Sequence, residues 1–110
     1  MGTMAYIYML LDKCDNLLYV GSTKNAHRRL KQHLSTRPPK ALHDNREIDH
    51  ALVAYAGNIQ NAMEGEAWLI QNAKPAWNTI IPDVSYHDFK TIKSFLMKLT
   101  WATWIVTERD

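Results

Sequence analysis

Residues 5–11 (Ala-Tyr-Ile-Tyr-Met-Leu-Leu) and 17–22 (Leu-Leu-Tyr-Val-Gly-Ser) are two short apolar, aromatic and β-branched runs parted by the polar cluster Asp12-Lys13-Cys14-Asp15-Asn16. Two such runs around turn-forming residues predict a β-hairpin. If Leu11 faces Asn16 across a four-residue loop, Tyr8 stands directly opposite Tyr19 and both phenols lie on one face. A one-residue slip would part them, because successive strand side chains alternate between faces. Farther on, Ala26, Leu30 and Leu34 recur at spacings of four and predict an amphipathic helix from Asn25 to about Leu34, with capping groups supplied by Ser22-Thr23-Lys24-Asn25. Arg29 and His33, also four apart, share a neighbouring stripe of that helix. Residues 35–49 carry Pro38-Pro39 and read as a loop or broken connection.

The second half continues the alternation. Residues 50–56 (His-Ala-Leu-Val-Ala-Tyr-Ala) predict a third strand ended by Gly57-Asn58. Asn61 with Glu64 three residues on predicts a capping box opening a helix that runs to about Ala73 and stops before Pro75. Ser85 with Asp88 starts a last helix, taken to run over 85–106, whose Phe89, Ile92, Phe95, Leu96 and Leu99 make a continuous apolar stripe. The expected fold is therefore α/β in the α+β sense: a small, three-stranded, mainly antiparallel sheet flanked by helices, with an extra C-terminal helix packing on it.

Composition narrows the class. A chain of 110 residues with 46% hydrophobic and 22% charged residues is expected to form one folded domain over 1–110. No apolar run reaches the roughly 18 residues of a membrane span, and no charged segment with a signal core opens the chain, so a cytoplasmic protein without membrane association is expected. The one cysteine, Cys14, cannot close an intrachain disulfide or build a cysteine zinc knuckle.

The net charge of +2 decides nothing alone, but its distribution does. Between Lys24 and Lys40 stand Lys24, Arg28, Arg29, Lys31, Arg37 and Lys40 with no acid among them. A basic stretch of this kind is a solvated helix face or a phosphate-binding patch. Its adjacency to a tyrosine pair favours the second reading. Two phenols on neighbouring strands, with a guanidinium from the next helix, suit the grip and hydrolysis of a phosphodiester.

With Tyr6-Ile7-Tyr8, Tyr19-Val20-Gly21, Arg29 and His33 placed, the chain resembles the GIY-YIG nuclease domain of homing endonucleases, excision-repair incision subunits and some restriction enzymes. Glu66-Ala67-Trp68-Leu69-Ile70 followed by Pro75-Ala76-Trp77-Asn78 extends the likeness, which covers residues 5 to about 80. Tyr6 departs from the family's glycine and would narrow access beside Tyr8; Val20 departs trivially from isoleucine. The resemblance implies a metal-dependent endonuclease that cuts DNA, single- or double-stranded, and the little surface that so small a domain offers for base readout adds an expectation of low intrinsic sequence specificity. It implies that Glu66 holds one Mg²⁺ (or Mn²⁺) and that Tyr8 is the general base or positions the attacking water, with its pKa lowered by the positive charge of Arg29 and the metal. Tyr19 would hydrogen-bond the phosphate region, or be a half-buried strand tyrosine. Arg29 would clamp phosphate, or make a surface salt bridge. His33 would contact phosphate or pass a proton, or be an ordinary helix-surface histidine. Gly21 and Asn78 are expected to be structural near the site, and Lys24, Arg28, Lys31, Arg37 and Lys40 to bind nucleic acid.

Other readings compete. A catalytically silent member of the same fold would keep the basic patch and only bind nucleic acid. An aromatic C-terminus around Trp101 and Trp104 would serve a protein interface, so the expected state is a monomer or weak homodimer. His33, His43 and His50 lack a close pair at metal spacing, which argues against a zinc site. Of the tryptophans, Trp68, Trp101 and Trp104 read as core, while Trp77 is left as a candidate to stack on bases.

Overall fold

The computed structural model describes residues 4–35, 48–78 and 89–105, with the side chains of 33–35, 89–91 and 105 excepted. Its elements run β1 (Tyr6–Leu11), β2 (Leu17–Thr23), α1 (Ala26–Ser35), β3 (His50–Tyr55), α2 (Ile59–Ala73), α3 (Phe89–Lys98) and β4 (Trp101–Ile105). The strands form one antiparallel sheet in the order β2-β1-β3-β4. The expected sheet of three strands is thus corrected to four among the described residues, and the expected helix over 85–106 ends at Lys98. There Leu99 N–H closes back on Leu96 O at 3.3 Å. Trp101-Ala-Thr-Trp-Ile then continues as a strand, because its aromatic and β-branched residues fit a pleated surface and β3 still has an open edge for it.

The hairpin register also differs from expectation. Tyr8 pairs with Gly21 and Leu10 with Tyr19, while Leu11 pairs with Leu17 across a β-bulge. The turn contributes one residue of offset and the bulge another. Two offsets restore the side-chain parity, so Tyr8 and Tyr19 remain on one face although they are diagonal and not opposite. The turn is set by Asp12, whose carboxylate accepts from the Cys14 and Asn16 N–H groups at 2.9 Å each and from Asn16 Nδ2 at 3.0 Å.

Each sheet face carries its own core. Tyr8, Leu10, Leu18, Ala51 and Val53 pack with Ala26 and Leu30 of α1, with Ile48 and with Trp77. Ile7 and Val20 point the other way and pack with Ala62 and Ile70 of α2 and with Ile92 and Leu96 of α3. Trp77 is 4% exposed, which removes it as a base-stacking residue. It belongs to the core because residues 76–78 lie along the outer edge of β2, Trp77 N–H donating to Leu18 O at 2.7 Å and Ala76 N–H to Leu17 O at 3.4 Å.

The start of α2 is displaced too. Asn58 is the N-cap, its side-chain oxygen accepting from Asn61 N–H at 2.8 Å, so Asn61 lies inside the helix and opens no capping box. Close approach of α2 to the sheet depends on Gly65. A Cβ there would come within 2.5 Å of Ile7 Cδ1 and 3.0 Å of Leu96 Cδ2. Its neighbour Glu66 is thereby carried down to the β2 edge.

Candidate active site

Tyr8 is fully buried in the middle of β1 and its ring lies over Gly21 of β2. A Cβ at position 21 would collide with Tyr8 Oη, Cζ and Cε1. The glycine is therefore required by the phenol itself, and not only by whatever approaches it. The Tyr8 and Tyr19 ring centroids are 6.1 Å apart, tilted by 37°. Arg29, one turn into α1, donates from Nε to Tyr8 Oη at 3.3 Å and from Nη1 to Gln32 Oε1 at 3.4 Å. A bond to Tyr8 and a second to Tyr19 hold the guanidinium more firmly in its charged form. The two phenols and the fork of Arg29 therefore form one connected cluster.

Among the protein's own groups burial dominates at Tyr8: it pushes the pKa up to about 12, outweighing the Arg29 hydrogen bond, and the charges of Tyr19 and Glu66 add to the rise. The Glu66 carboxylate thus lies close enough for its charge to act on Tyr8. Glu66 reaches the β2 edge from the α2 side, where the Ser22 hydroxyl donates toward Oε1 and Oε2 at 3.2 and 3.3 Å. Burial raises its pKa above the ordinary carboxylate value, and the Ser22 hydrogen bond opposes that rise. A half-desolvated carboxylate held by a neutral hydroxyl suits a cation that keeps most of its own waters, such as Mg²⁺. Among the described residues no three His, Cys, Asp or Glu side chains gather into a metal cage.

Sequence reasoning missed Ser22, counting it among the helix-capping residues. Its position one residue after Gly21 was the available signal, because strand alternation turns it away from the phenols and toward α2. The cap of α1 is Asn25, whose Oδ1 accepts from Arg28 N–H at 3.0 Å. Asn78 grips the central residue of Tyr19-Val20-Gly21 by both backbone groups: Oδ1 accepts from Val20 N–H at 2.9 Å, and Nδ2 donates to Val20 O at 3.1 Å. It thus supplies the outer edge of β2 with the pairing that a further strand would give.

Of the basic residues, Lys24, Arg28 and Lys31 are exposed around α1 beside the tyrosine face. The His33 side chain, Arg37, Lys40 and His43 lie outside the described residues. His50 engages Asp15 through Nε2 at 3.2 Å and Asp49 through Nδ1 at 2.8 Å, on the turn end of the hairpin. No helix among the described residues is long and apolar enough to cross a membrane.

Comparison with known proteins agrees with this geometry. UvrABC system protein C of Helicobacter hepaticus is 31% identical over 91 residues, which cover 74% of this chain and 15% of that protein. The chain therefore spans only a small part of the curated relative it matches. No solved structure matches it. The family model described as the GIY-YIG catalytic domain matches residues 4–80, from just before β1 past the Asn78 clamp. By that match and by the tyrosine pair, Arg29 and Glu66 arranged around β2, the chain belongs to the GIY-YIG catalytic domain family.

Proposed function

We propose that the domain is a metal-dependent endonuclease that hydrolyses DNA phosphodiester bonds with little sequence preference of its own. The observation that carries this reading is the convergence on Gly21 and Ser22 of β2: a phenol bonded to a guanidinium on one face, a half-buried carboxylate on the other. Hydrolysis of a phosphodiester requires an oriented water, donors for the charge on the non-bridging oxygens, and relief of charge on the departing oxygen. A divalent ion bound through Glu66 and water would supply Lewis-acid stabilisation of phosphate charge. Arg29 presents a planar fork of donors, some beyond its tyrosine bonds, to the non-bridging oxygens. Tyr8, whose phenol the protein's own groups keep protonated at neutral pH, orients the attacking water by hydrogen bonding. Tyr19 adds a second phenol on the same face, and Ser22 fixes the carboxylate of Glu66 in place. Exposed Lys24, Arg28 and Lys31 attract the strand by counterion release.

The decisive assay is a Mg²⁺ titration with labelled single- and double-stranded DNA. Cutting that appears with the metal and disappears with a chelator is the expected result. A domain that retards DNA at every Mg²⁺ concentration and never cuts it would instead be the silent binding module. RNA strands in the same panel define the sugar preference.

A further inference from the structure

Beside the tyrosine cluster, on the same face of the sheet, lies an open groove of about 470 Å³ between the first turn of α1 and the β3-β4 end. Its walls include Tyr6, Lys24, His27, Tyr55, Ala102 and Trp104. The Tyr6 and Tyr55 rings, paired across β1 and β3, have centroids 5.5 Å apart and are tilted by 56°. Between α1 and β4, His27 meets Trp104 edge-on with ring centroids 5.4 Å apart. Tyr55 is 52% exposed although it belongs to a strand whose other same-face residues, Val53 and Ala51, are buried. The core does not use that ring.

We propose that this groove is a subsite that stacks an unpaired base of the nucleic-acid strand, next to the phosphate held by Arg29 and Tyr8. The proposal rests on the nuclease reading above and adds to it where the strand runs. Tyr6 lies two residues from Tyr8 on β1, hence roughly 7 Å along the strand, a step on the scale of one nucleotide. An aromatic wall with an exposed ammonium at its rim is the combination by which single strands are held without sequence readout, the rings taking the bases and the cations the backbone. Among the described residues that line the groove none is acidic, while Lys24 belongs to it and Arg28 and Lys31 follow along α1. That charge suits a polyanion. Tyr6, the residue by which the first tripeptide departs from the family pattern, is thus a wall of the groove and not an obstruction in front of Tyr8. The groove lies within the size range of preformed small-ligand sites, with room for a base and its sugar.

The test measures the affinity of the whole chain for a dye-labelled single-stranded oligonucleotide by fluorescence anisotropy, in chelator so that no cutting occurs. A second strand of the same length carries abasic residues, keeping the phosphates and removing the bases. Tyr55→Ala is expected to weaken the base-bearing strand by roughly tenfold, and Tyr55→Trp to restore it. On the abasic strand Tyr55→Ala should cost nothing beyond what wild type has already lost, because the two changes remove the same contact. Wild-type affinity of Tyr55→Ala for the base-bearing strand overturns the proposal, as does an equal loss on both strands. If wild type cuts DNA while Tyr55→Ala binds normally, only the groove is refuted. If wild type neither binds nor cuts any strand, the nuclease reading falls with it.

Discussion

Replacing Gly21 by alanine adds one methyl group at the place where the site is tightest. Gly21 has no positive φ, so alanine can adopt its backbone and the cost is steric. The new carbon would overlap the Tyr8 ring at Oη, Cζ and Cε1, and that ring is buried, so ring or strand must shift. Overpacking of this kind costs about 1–3 kcal/mol. Replacing a strand glycine recovers about 0.5–1 kcal/mol of unfolded-state entropy. Mid-range values leave a net loss of about 1.2 kcal/mol, or a fall in Tm of roughly 5–10 °C for a domain near this size. Urea unfolding followed by circular dichroism measures it. Tilting the ring also pulls Tyr8 Oη off Arg29, so single-turnover cleavage should fall by about 100-fold, the usual consequence of an ångström-scale misplacement. A control isolates the cause: in a Tyr8→Leu background all three colliding atoms are gone, so the stability loss from Gly21→Ala must shrink. The reasoning is refuted if Gly21→Ala is as stable and active as wild type, or if its cost is undiminished beside Tyr8→Leu.

Other outcomes follow from the same contacts. Asn78→Ala leaves both backbone groups of Val20 without their side-chain partner and should cost about 1–3 kcal/mol by chemical denaturation; an unchanged midpoint would mean that the clamp is replaceable by water. Ser22→Ala should raise the Mg²⁺ concentration for half-maximal cleavage by about tenfold, with Ser22→Thr recovering most of it, as expected when the partner that orients a ligand is lost. Between pH 10 and pH 12 the folded protein keeps a proton on Tyr8 that the unfolded chain gives up, so stability should fall through this window by on the order of 2–3 kcal/mol at most. That stability is fully present below pH 10, and Tyr8→Phe should flatten the fall; an equally steep fall in Tyr8→Phe would assign it to other groups.

Much of this architecture was legible because local patterns and tertiary needs coincided. The alternating runs around Asp12-Asn16 gave the hairpin, the spacing of Ala26 and Leu30 gave α1, and Pro75 marked the end of α2. The register was not legible: the bulge between Leu10 and Leu11 leaves no signature in the residue types. Face assignment survived only because two offsets sum to an even number. The fourth strand was hidden by Trp101 and Trp104, whose separation of three also fits a helix and continued the stripe of α3. In the site, residue types and order pointed to Tyr8, Arg29 and Glu66, which the fold brings into electrostatic reach of one another. The burial that raises the Tyr8 pKa was not legible because it is a tertiary property, invisible in a tripeptide. Ser22 was missed because its importance lies in what α2 brings against it, 44 residues away in sequence.

The central claim is that Glu66 works together with the tyrosine-arginine cluster in cleaving a phosphodiester, and Glu66→Gln tests it most directly. Glutamine keeps the shape and can still accept from the Ser22 hydroxyl through its amide oxygen, so the fold and the basic face stay in place. Single-turnover cleavage of labelled DNA in Mg²⁺ should drop by at least about 100-fold, with DNA affinity in chelator unchanged. Cutting at the wild-type rate by Glu66→Gln would contradict the account.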